Sequence, residues 1–289
     1  MDKLIVTVTV DSSMSYPNNP LGIKVDEIEK TVTEYVNSVE KGASIAHIHG
    51  VHFLEDKIQP DGKKLSRIDF DGWQKMQSLI KEETDAIIQF GIASARFEEK
   101  VHLMEFSPEM MSINFTAHDE YFQPDPRFPP NEMYSIHTRD EILQYVQEAE
   151  KHKVKVEAEC FNTGAFWNIE FVRKSTGLLK PPSWVTLFLG WPGGSWTPPT
   201  PDALIYLVGH LPKGVNWNVS VMDPNSQWQI LSLAIALGGH VRVGWEDNPY
   251  LPNKRPAHNW ELVEHIVKIA KDLGRDVATP DEARDIIKL

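Results

Sequence analysis

His47-Ile48-His49 is the strongest chemical signal in this chain. It closes the run Ser44-Ile45-Ala46-His47-Ile48-His49, whose apolar, β-branched character predicts a strand. Residues two apart on a strand share a face, so both imidazoles project together at its C-terminal end. Two convergent imidazoles suit Zn²⁺ or another borderline divalent metal. The competing reading of an H-x-H is two unconnected histidines. His52 is close by but lies past the strand end, a candidate to support the ligands from behind.

A third ligand is expected from Gly239-His240-Val241-Arg242-Val243-Gly244-Trp245-Glu246-Asp247-Asn248. This segment sets a cation and two carboxylates at the end of another predicted strand. In a closed barrel the eighth strand lies two places from the second, so Glu246 could join His47 and His49 and leave open positions for water or substrate. Arg242 and Asp247 would pair beside them; in isolation they would be an ordinary solvated ion pair. The strand Val154 to Cys160 carries Glu157 and Glu159 on one face. One of them could hydrogen-bond a metal-bound histidine or act as a general base; the alternative is an ion pair with Lys153 or Lys155. In Gly190-Trp191-Pro192-Gly193-Gly194-Ser195-Trp196 the glycines allow close backbone approach to a ligand and the tryptophans offer flat apolar walls. Nucleophilic chemistry finds little support. Cys160 has no obvious histidine partner, and there is neither a G-x-S-x-G elbow nor a G-x-x-x-x-G-K-[ST] loop.

Short strand-like runs alternate with helical periodicity along the whole chain. Leu4 to Val10, Ser44 to His49, Ala86 to Phe90 and Met111 to Phe115 read as strands, and so do Val154 to Cys160, Trp184 to Gly190, Asn216 to Val221 and His240 to Trp245. Helical patterns follow, among them Lys24 to Lys41 closed by Gly42, Phe70 to Glu83, and Thr138 to Lys151 with Thr138 and Glu141 at capping-box spacing. Eight strands each followed by helical sequence predict a (β/α)₈ TIM barrel, one domain over residues 1–289 with elaborated βα loops. An open doubly wound sheet is the runner-up, weakened because no G-x-G-x-x-G follows the first strand. The proline-rich stretch Phe122 to Pro130 reads as a long βα loop on the active face.

The 289 residues carry 29 Lys+Arg against 41 Asp+Glu, a net charge of −12. An acidic surface argues against nucleic acid or an anionic membrane as partner. One cysteine excludes an internal disulfide framework and a Cys-rich zinc finger. No apolar run approaches the roughly 18–20 residues of a membrane span, and Met1-Asp2-Lys3-Leu4 lacks the layout of a secretory signal. A cytoplasmic, soluble protein is expected.

The sequence resembles the beta-keto acid cleavage enzymes, founded on 3-keto-5-aminohexanoate cleavage. The resemblance runs nearly end to end, through Ala46-His47-Ile48-His49, Ser107 to Asn114, the Glu157/Glu159 strand and Leu189 to Gly194. Its most specific stretch is Ala236-Leu237-Gly238-Gly239-His240 through Asn248. It implies a zinc barrel, one Zn²⁺ per subunit, that condenses a β-keto acid with acetyl-CoA to give acetoacetate and a new CoA thioester. It further implies that His47, His49 and Glu246 ligate the metal, that Arg242 and Asp247 assist deprotonation, that Glu157 or Glu159 completes the site, and that the protein is a homo-oligomer, typically a tetramer.

Several positions depart from the family pattern. Met14 stands where the first βα loop has an acidic residue, with Asp11 close by. Gly91 replaces a serine that helps hold substrate. Ala117 occupies a hydroxyl slot after Asn114, with Thr116 one residue early, and Val51-His52 stand where an arginine follows the H-x-H. The metal frame is kept while the carboxylate-binding residues are rewritten at these positions, which predicts a changed substrate; Asp11, Asn114, Thr116, Gly193 and Gly194 are the candidate substrate contacts. Two rivals remain: a metal-dependent hydrolase or lyase on another carbonyl compound, and a non-catalytic metal-binding relative. Hydrolytic barrels of the amidohydrolase type usually add histidines on strands five and six, and this chain has none there.

Overall fold

A computed structural model of the chain describes residues 2–58, 64–122, 131–191 and 195–289. In order, the first half comprises β1 (Val6–Thr9), α1 (Ile28–Glu40), β2 (Ile45–Ile48), β3 (His52–Ile58), β4 (Lys64–Ile68), α2 (Phe70–Glu83), β5 (Ile87–Phe90), α3 (Phe97–Glu105), β6 (Met110–Asn114), β7 (His118–Phe122) and β8 (Asn131–Ser135). The second half comprises α4 (Arg139–Lys151), β9 (Lys155–Cys160), α5 (Gly164–Thr176), β10 (Ser183–Leu189), α6 (Pro201–His210), β11 (Val215–Val221), α7 (Gln227–Ala236), β12 (His240–Gly244), α8 (Asn259–Asp272) and α9 (Pro280–Ile287).

Eight of these strands close a parallel barrel in the order β1-β12-β11-β10-β9-β6-β5-β2. This is the (β/α)₈ architecture that the alternation of strand and helix predicts. β3 pairs with β4 and β7 with β8 as antiparallel hairpins outside the barrel, both in βα connections. The sequence reading missed both hairpins and α3, and it started α1 four residues early; the Glu27 side chain accepts from the Lys24 backbone N–H ahead of the helix. Among the described residues no helix is long and apolar enough to cross a membrane.

The barrel interior is graded from apolar to polar. At its N-terminal end Ile5, Ile45, Ile87, Met110 and Trp184 pack against Ala283 and Ile287 of α9, which plugs that opening. Toward the C-terminal end the buried interior turns polar, with Thr9, His47, Gln89, Glu157, Thr186 and Arg242 all at most 1 % exposed. Buried polar groups persist only where they are paired or used. This distribution therefore locates the chemistry at the C-terminal mouth.

Candidate active site

Strand register assembles the site. Thr9 of β1 is level with His47 of β2 on one side and with Gly244 of β12 on the other, and His47 is level with Gln89 of β5. At Gly244 the backbone has φ +139°, and a Cβ there would lie 2.0 Å from the Thr9 carbonyl oxygen. The bare backbone lets the chain turn tightly, with Asp247 N and Asn248 N donating to Gly244 O at 3.1 and 2.9 Å. That turn brings Glu246 and Asp247 back over the barrel mouth.

The ligand atoms of His47, His49 and Glu246 lie within 4.8 Å of one another. His49 stands one residue past β2 and still joins His47, with ring centroids 5.1 Å apart. Arg242 Nη1 donates to His47 Nε2 at 3.4 Å, so that nitrogen carries a lone pair and the ring hydrogen sits on Nδ1, 2.8 Å from Gln89 Oε1. Burial, and then Arg242, hold the His47 pKa down to about 3, so its imidazole is neutral. His49 Nε2 lies 3.5 Å from Glu246 Oε2, and its Nδ1 is 3.7 Å from Asp11 Oδ2. Burial works against charge on His49, but the Glu246 and Asp11 carboxylates outweigh it and raise its pKa. His52 Nε2 approaches Asp11 Oδ2 at 3.6 Å, so His52 supports the carboxylate behind His49. Glu246 accepts from Arg242 Nη2 at 2.6 Å and from the Thr9 hydroxyl. Burial disfavours its charge, yet Arg242 and the two histidines outweigh burial and lower its pKa.

This donor set fits a divalent metal. It offers a neutral imidazole whose Nε2 lone pair here accepts from Arg242, a second imidazole and an ionised carboxylate. Each imidazole Nδ1 has an acceptor behind it, the arrangement that orients metal-bound histidines. A Cβ on Gly91 would lie 2.4 Å from His47 Cε1, so the space beside this ring is kept free by the glycine.

Arg242 is shared between two carboxylates. Its Nε donates to both Asp247 oxygens at 3.1 Å and its Nη2 to Oδ1 at 2.7 Å, with Arg242 1 % and Asp247 0 % exposed. Burial outweighs the pull of Arg242, and the Asp247 carboxyl lies above its ordinary range. A carboxylate displaced upward is a better proton acceptor. The two glutamates of β9 differ. Glu157 is fully buried and accepts from the Ser112 and Thr186 hydroxyls, whereas Glu159 reaches the cleft. Burial, and then the Glu157 carboxylate, raise Glu159 to about 7. Neither glutamate pairs with Lys155, which donates to Pro182 O at 3.1 Å instead.

The site opens into a cleft partly open to solvent. Asp11, Met14, His49 and Glu246 line one part of it, and Phe161, Phe188, Trp191 and Trp196 form apolar walls. His118 and Glu120 of β7 and Met133 of β8 line it too, and the sequence reading assigned none of them a role. The readable signal is the period of two at 118 and 120, which places both side chains on one face of a strand. Asn114 and Thr116 do not line the cleft: the Asn114 amide is engaged with His118 and Ser135, and the buried Thr116 hydroxyl has no hydrogen-bond partner among the described residues. Gly193 and Gly194 lie outside the described residues.

Residues 3–289 match the family described as beta-keto acid cleavage enzyme. The chain belongs to that family. It is 33 % identical over 99 % of its length to a 3-keto-5-aminohexanoate cleavage enzyme of Acetoanaerobium sticklandii, 98 % of which is covered. It is 24 % identical over 87 % of its length to a 3,5-dioxohexanoate:acetyl-CoA acetone transferase of Paraburkholderia graminis, with 85 % of that protein covered. Among solved structures, a binary complex of ObcA with oxaloacetate superposes with a TM-score of 0.69 at 17 % identity, covering 93 % of this chain and 67 % of that one, a likeness of fold. This family member is thus an enzyme of the beta-keto acid cleavage type.

Proposed function

We propose that this enzyme transfers the acyl group of a β-keto acid to CoA, with acetyl-CoA as co-substrate and Zn²⁺ as metal. In the balanced reaction, R–CO–CH₂–COO⁻ and acetyl-CoA give R–CO–S-CoA and acetoacetate. The bond between the keto carbon and the carboxymethyl carbon breaks, and the carboxymethyl carbon bonds to the acetyl group. The observation that carries this reading is the grouping of His47, His49 and Glu246 beside the buried Arg242–Asp247 pair, with His49 and Glu246 facing the cleft. His47, His49 and Glu246 would hold the metal, and the His₂Glu set suits zinc. When bound, such a metal polarises a carbonyl oxygen and stabilises the enolate charge that develops on C–C cleavage.

The chain's own residues supply the rest. Arg242 keeps Glu246 ionised for ligation and orients Asp247 through a two-pronged contact. Asp247, held against Arg242 beneath the cleft, assists removal of the proton from the carbon between the keto group and the carboxylate. Glu159, poised near neutrality, gives or takes a proton within the cleft. The aromatic walls exclude water from the thioester and the carbanion. A homotetramer by family resemblance, a single domain and a cytoplasmic location are part of the same proposal.

The test is metal analysis of the purified protein together with a β-keto acid panel, with and without acetyl-CoA, read as acetoacetate and new thioester. Bound zinc and acetyl-CoA-dependent acetoacetate are expected, with both lost in Glu246→Gln. Protein that turns over equally well after complete metal removal would overturn the reading.

A further inference from the structure

We propose that Glu34 and Tyr35, consecutive residues of α1, are positioning residues that fix how far His47 stands from Glu246 and so set how tightly the site holds its metal. The inference rests on the reading of His47, His49 and Glu246 as metal ligands.

Neither residue lines the cleft, yet Glu34 is 6 % and Tyr35 1 % exposed. A buried carboxylate or phenol is costly unless its oxygens are used. The Tyr35 hydroxyl donates to the His47 carbonyl oxygen at 2.5 Å, which holds the backbone of one ligand from outside the barrel.

Glu34 reaches the other ligand through Asn259 and Trp245. Its Oε2 accepts from the Asn259 backbone N–H at 2.9 Å and from Asn259 Nδ2 at 3.1 Å, and His258 Nδ1 donates to its Oε1 at 2.7 Å. Asn259 opens α8, so the carboxylate also sits at a helix N-terminus, where backbone dipoles favour negative charge. With Nδ2 engaged by Glu34, the Asn259 amide presents Oδ1 to the Trp245 backbone N–H, which donates to it at 2.9 Å. Trp245 directly precedes Glu246, and its indole Nε1 donates to Ala257 O at 2.7 Å. Asn259 and Trp245 are both 0 % exposed, so water does not compete for these bonds.

The topology explains how one helix serves both ligands. β1 lies between β2 and β12, and α1, which follows β1, packs against β1, β2 and α8. It therefore bridges the strand that carries His47 and the turn that carries Glu246. Inside the barrel Thr9 spans the same gap, level with His47 and donating its hydroxyl to Glu246. His47 Nε2 and Glu246 Oε2 stand 3.9 Å apart. Zinc bonds to nitrogen and oxygen are about 2.0–2.2 Å long, so two ligands of one ion need a set separation. A frame that fixes it beforehand spares the cost of ordering the ligands on binding.

The experiment measures zinc affinity by competition with a chromophoric chelator, together with the visible spectrum of the cobalt(II)-loaded protein, which reports ligand geometry. Tyr35→Phe removes the bond to His47, and Glu34→Met removes both acceptors at similar side-chain length. Each is expected to weaken zinc binding about tenfold and to change the cobalt bands. Glu34→Gln keeps an oxygen for Asn259 and should stay near the parent. Val32→Ala loosens the same helix at a core position; it should lower unfolding stability and leave both metal readouts where they were. Should Glu34→Met fail to fold, Tyr35→Phe, which loses a single hydroxyl, decides. A folded Tyr35→Phe or Glu34→Met protein with parental zinc affinity and an unchanged cobalt spectrum overturns the inference. So does a Val32→Ala protein that moves both readouts as far. Either result leaves the ligand assignment standing, whereas a parent protein that binds neither ion overturns that assignment and the inference with it.

Discussion

Gly91→Ala tests whether the space beside His47 is functional. The backbone at Gly91 has no left-handed φ, so only side-chain space is at stake. An added Cβ would lie 2.4 Å from His47 Cε1, 2.8 Å from His47 Nε2 and 3.0 Å from Ser112 Oγ. Side chains normally yield to such contacts, but His47 is 1 % exposed and held at Nδ1 by Gln89. Overpacking a buried site costs about 1–3 kcal/mol, and the His47–Gln89 bond contributes about 0.5–1.5 kcal/mol. Moving His47 out of ligating position thus costs about 1.5–4.5 kcal/mol, which is about a 10- to 2,000-fold loss of metal affinity. The assay is competition for zinc against a chromophoric chelator, with circular dichroism of the metal-free protein as a folding control. Gly91→Ser, which restores the serine of the family pattern, should fail for the same reason. A Gly91→Ala protein that folds and binds zinc as tightly as the parent would refute the reasoning.

Arg242→Leu leaves Glu246 and Asp247 buried without their shared donor, and should lower unfolding stability by about 3–5 kcal/mol in urea titrations. Glu159 gives a pH signature. Its carboxyl is raised from 4.5 to about 7 in the folded protein, first by burial and then by Glu157. Between those values the folded state holds a proton that the unfolded chain has released, so stability falls as pH rises through this window. Glu159→Gln should flatten that slope in thermal melts at stepped pH, and an unchanged slope would count against the raised carboxyl. Ser195→Ala removes a clasp in which Ser195 Oγ accepts from Asp119 N at 3.1 Å and donates to Asp119 Oδ1 at 2.7 Å. With about 1 kcal/mol per bond, KM for the keto acid should rise several-fold with little change in global stability; the reverse pattern would show that the hairpin does not shape the cleft.

The barrel was legible because its determinants are local. Thr138 accepts from Glu141 N at 3.1 Å and starts α4 where the capping spacing places it. Runs such as Val215–Val221 have no other use for so many β-branched and apolar residues. α3 escaped notice because its first residue follows Arg96, a poor N-cap by type; the Glu99 side chain accepts from Arg96 N at 2.8 Å instead. The hairpins escaped because β7 and β8 are joined through a proline-rich stretch that reads as loop from end to end. In the site, the ligand trio was readable from strand ends alone, since barrel order makes β12 and β2 both neighbours of β1. The division of labour between Glu157 and Glu159 was not, because both face one side of β9. Only cross-strand partners, Ser112 on β6 and Thr186 on β10, determine which one is tied down.

Metal ligation and substrate recognition sit on structures of different rigidity. His47, Gln89 and Arg242 belong to barrel strands, and Glu246 follows β12 by two residues, fixed by parallel register and by hydrogen bonds between His47 and Gln89 and from Arg242 to Glu246. A change at any of them propagates to the ligands. Met14, His118, Glu120 and Trp196 belong to the βα connections, where exchange of a side chain alters the cleft without moving the barrel. The ligand frame of the family can therefore persist while Met14, Gly91 and Ala117 depart from its pattern. It follows that substrate preference in this enzyme should respond more strongly to the hairpin than to any strand residue. Exchanging residues 117–135 for the corresponding segment of the Acetoanaerobium sticklandii relative should shift the keto acid preferred and leave zinc affinity where it was; a fall in zinc affinity with the preference intact would show that hairpin and barrel are one unit.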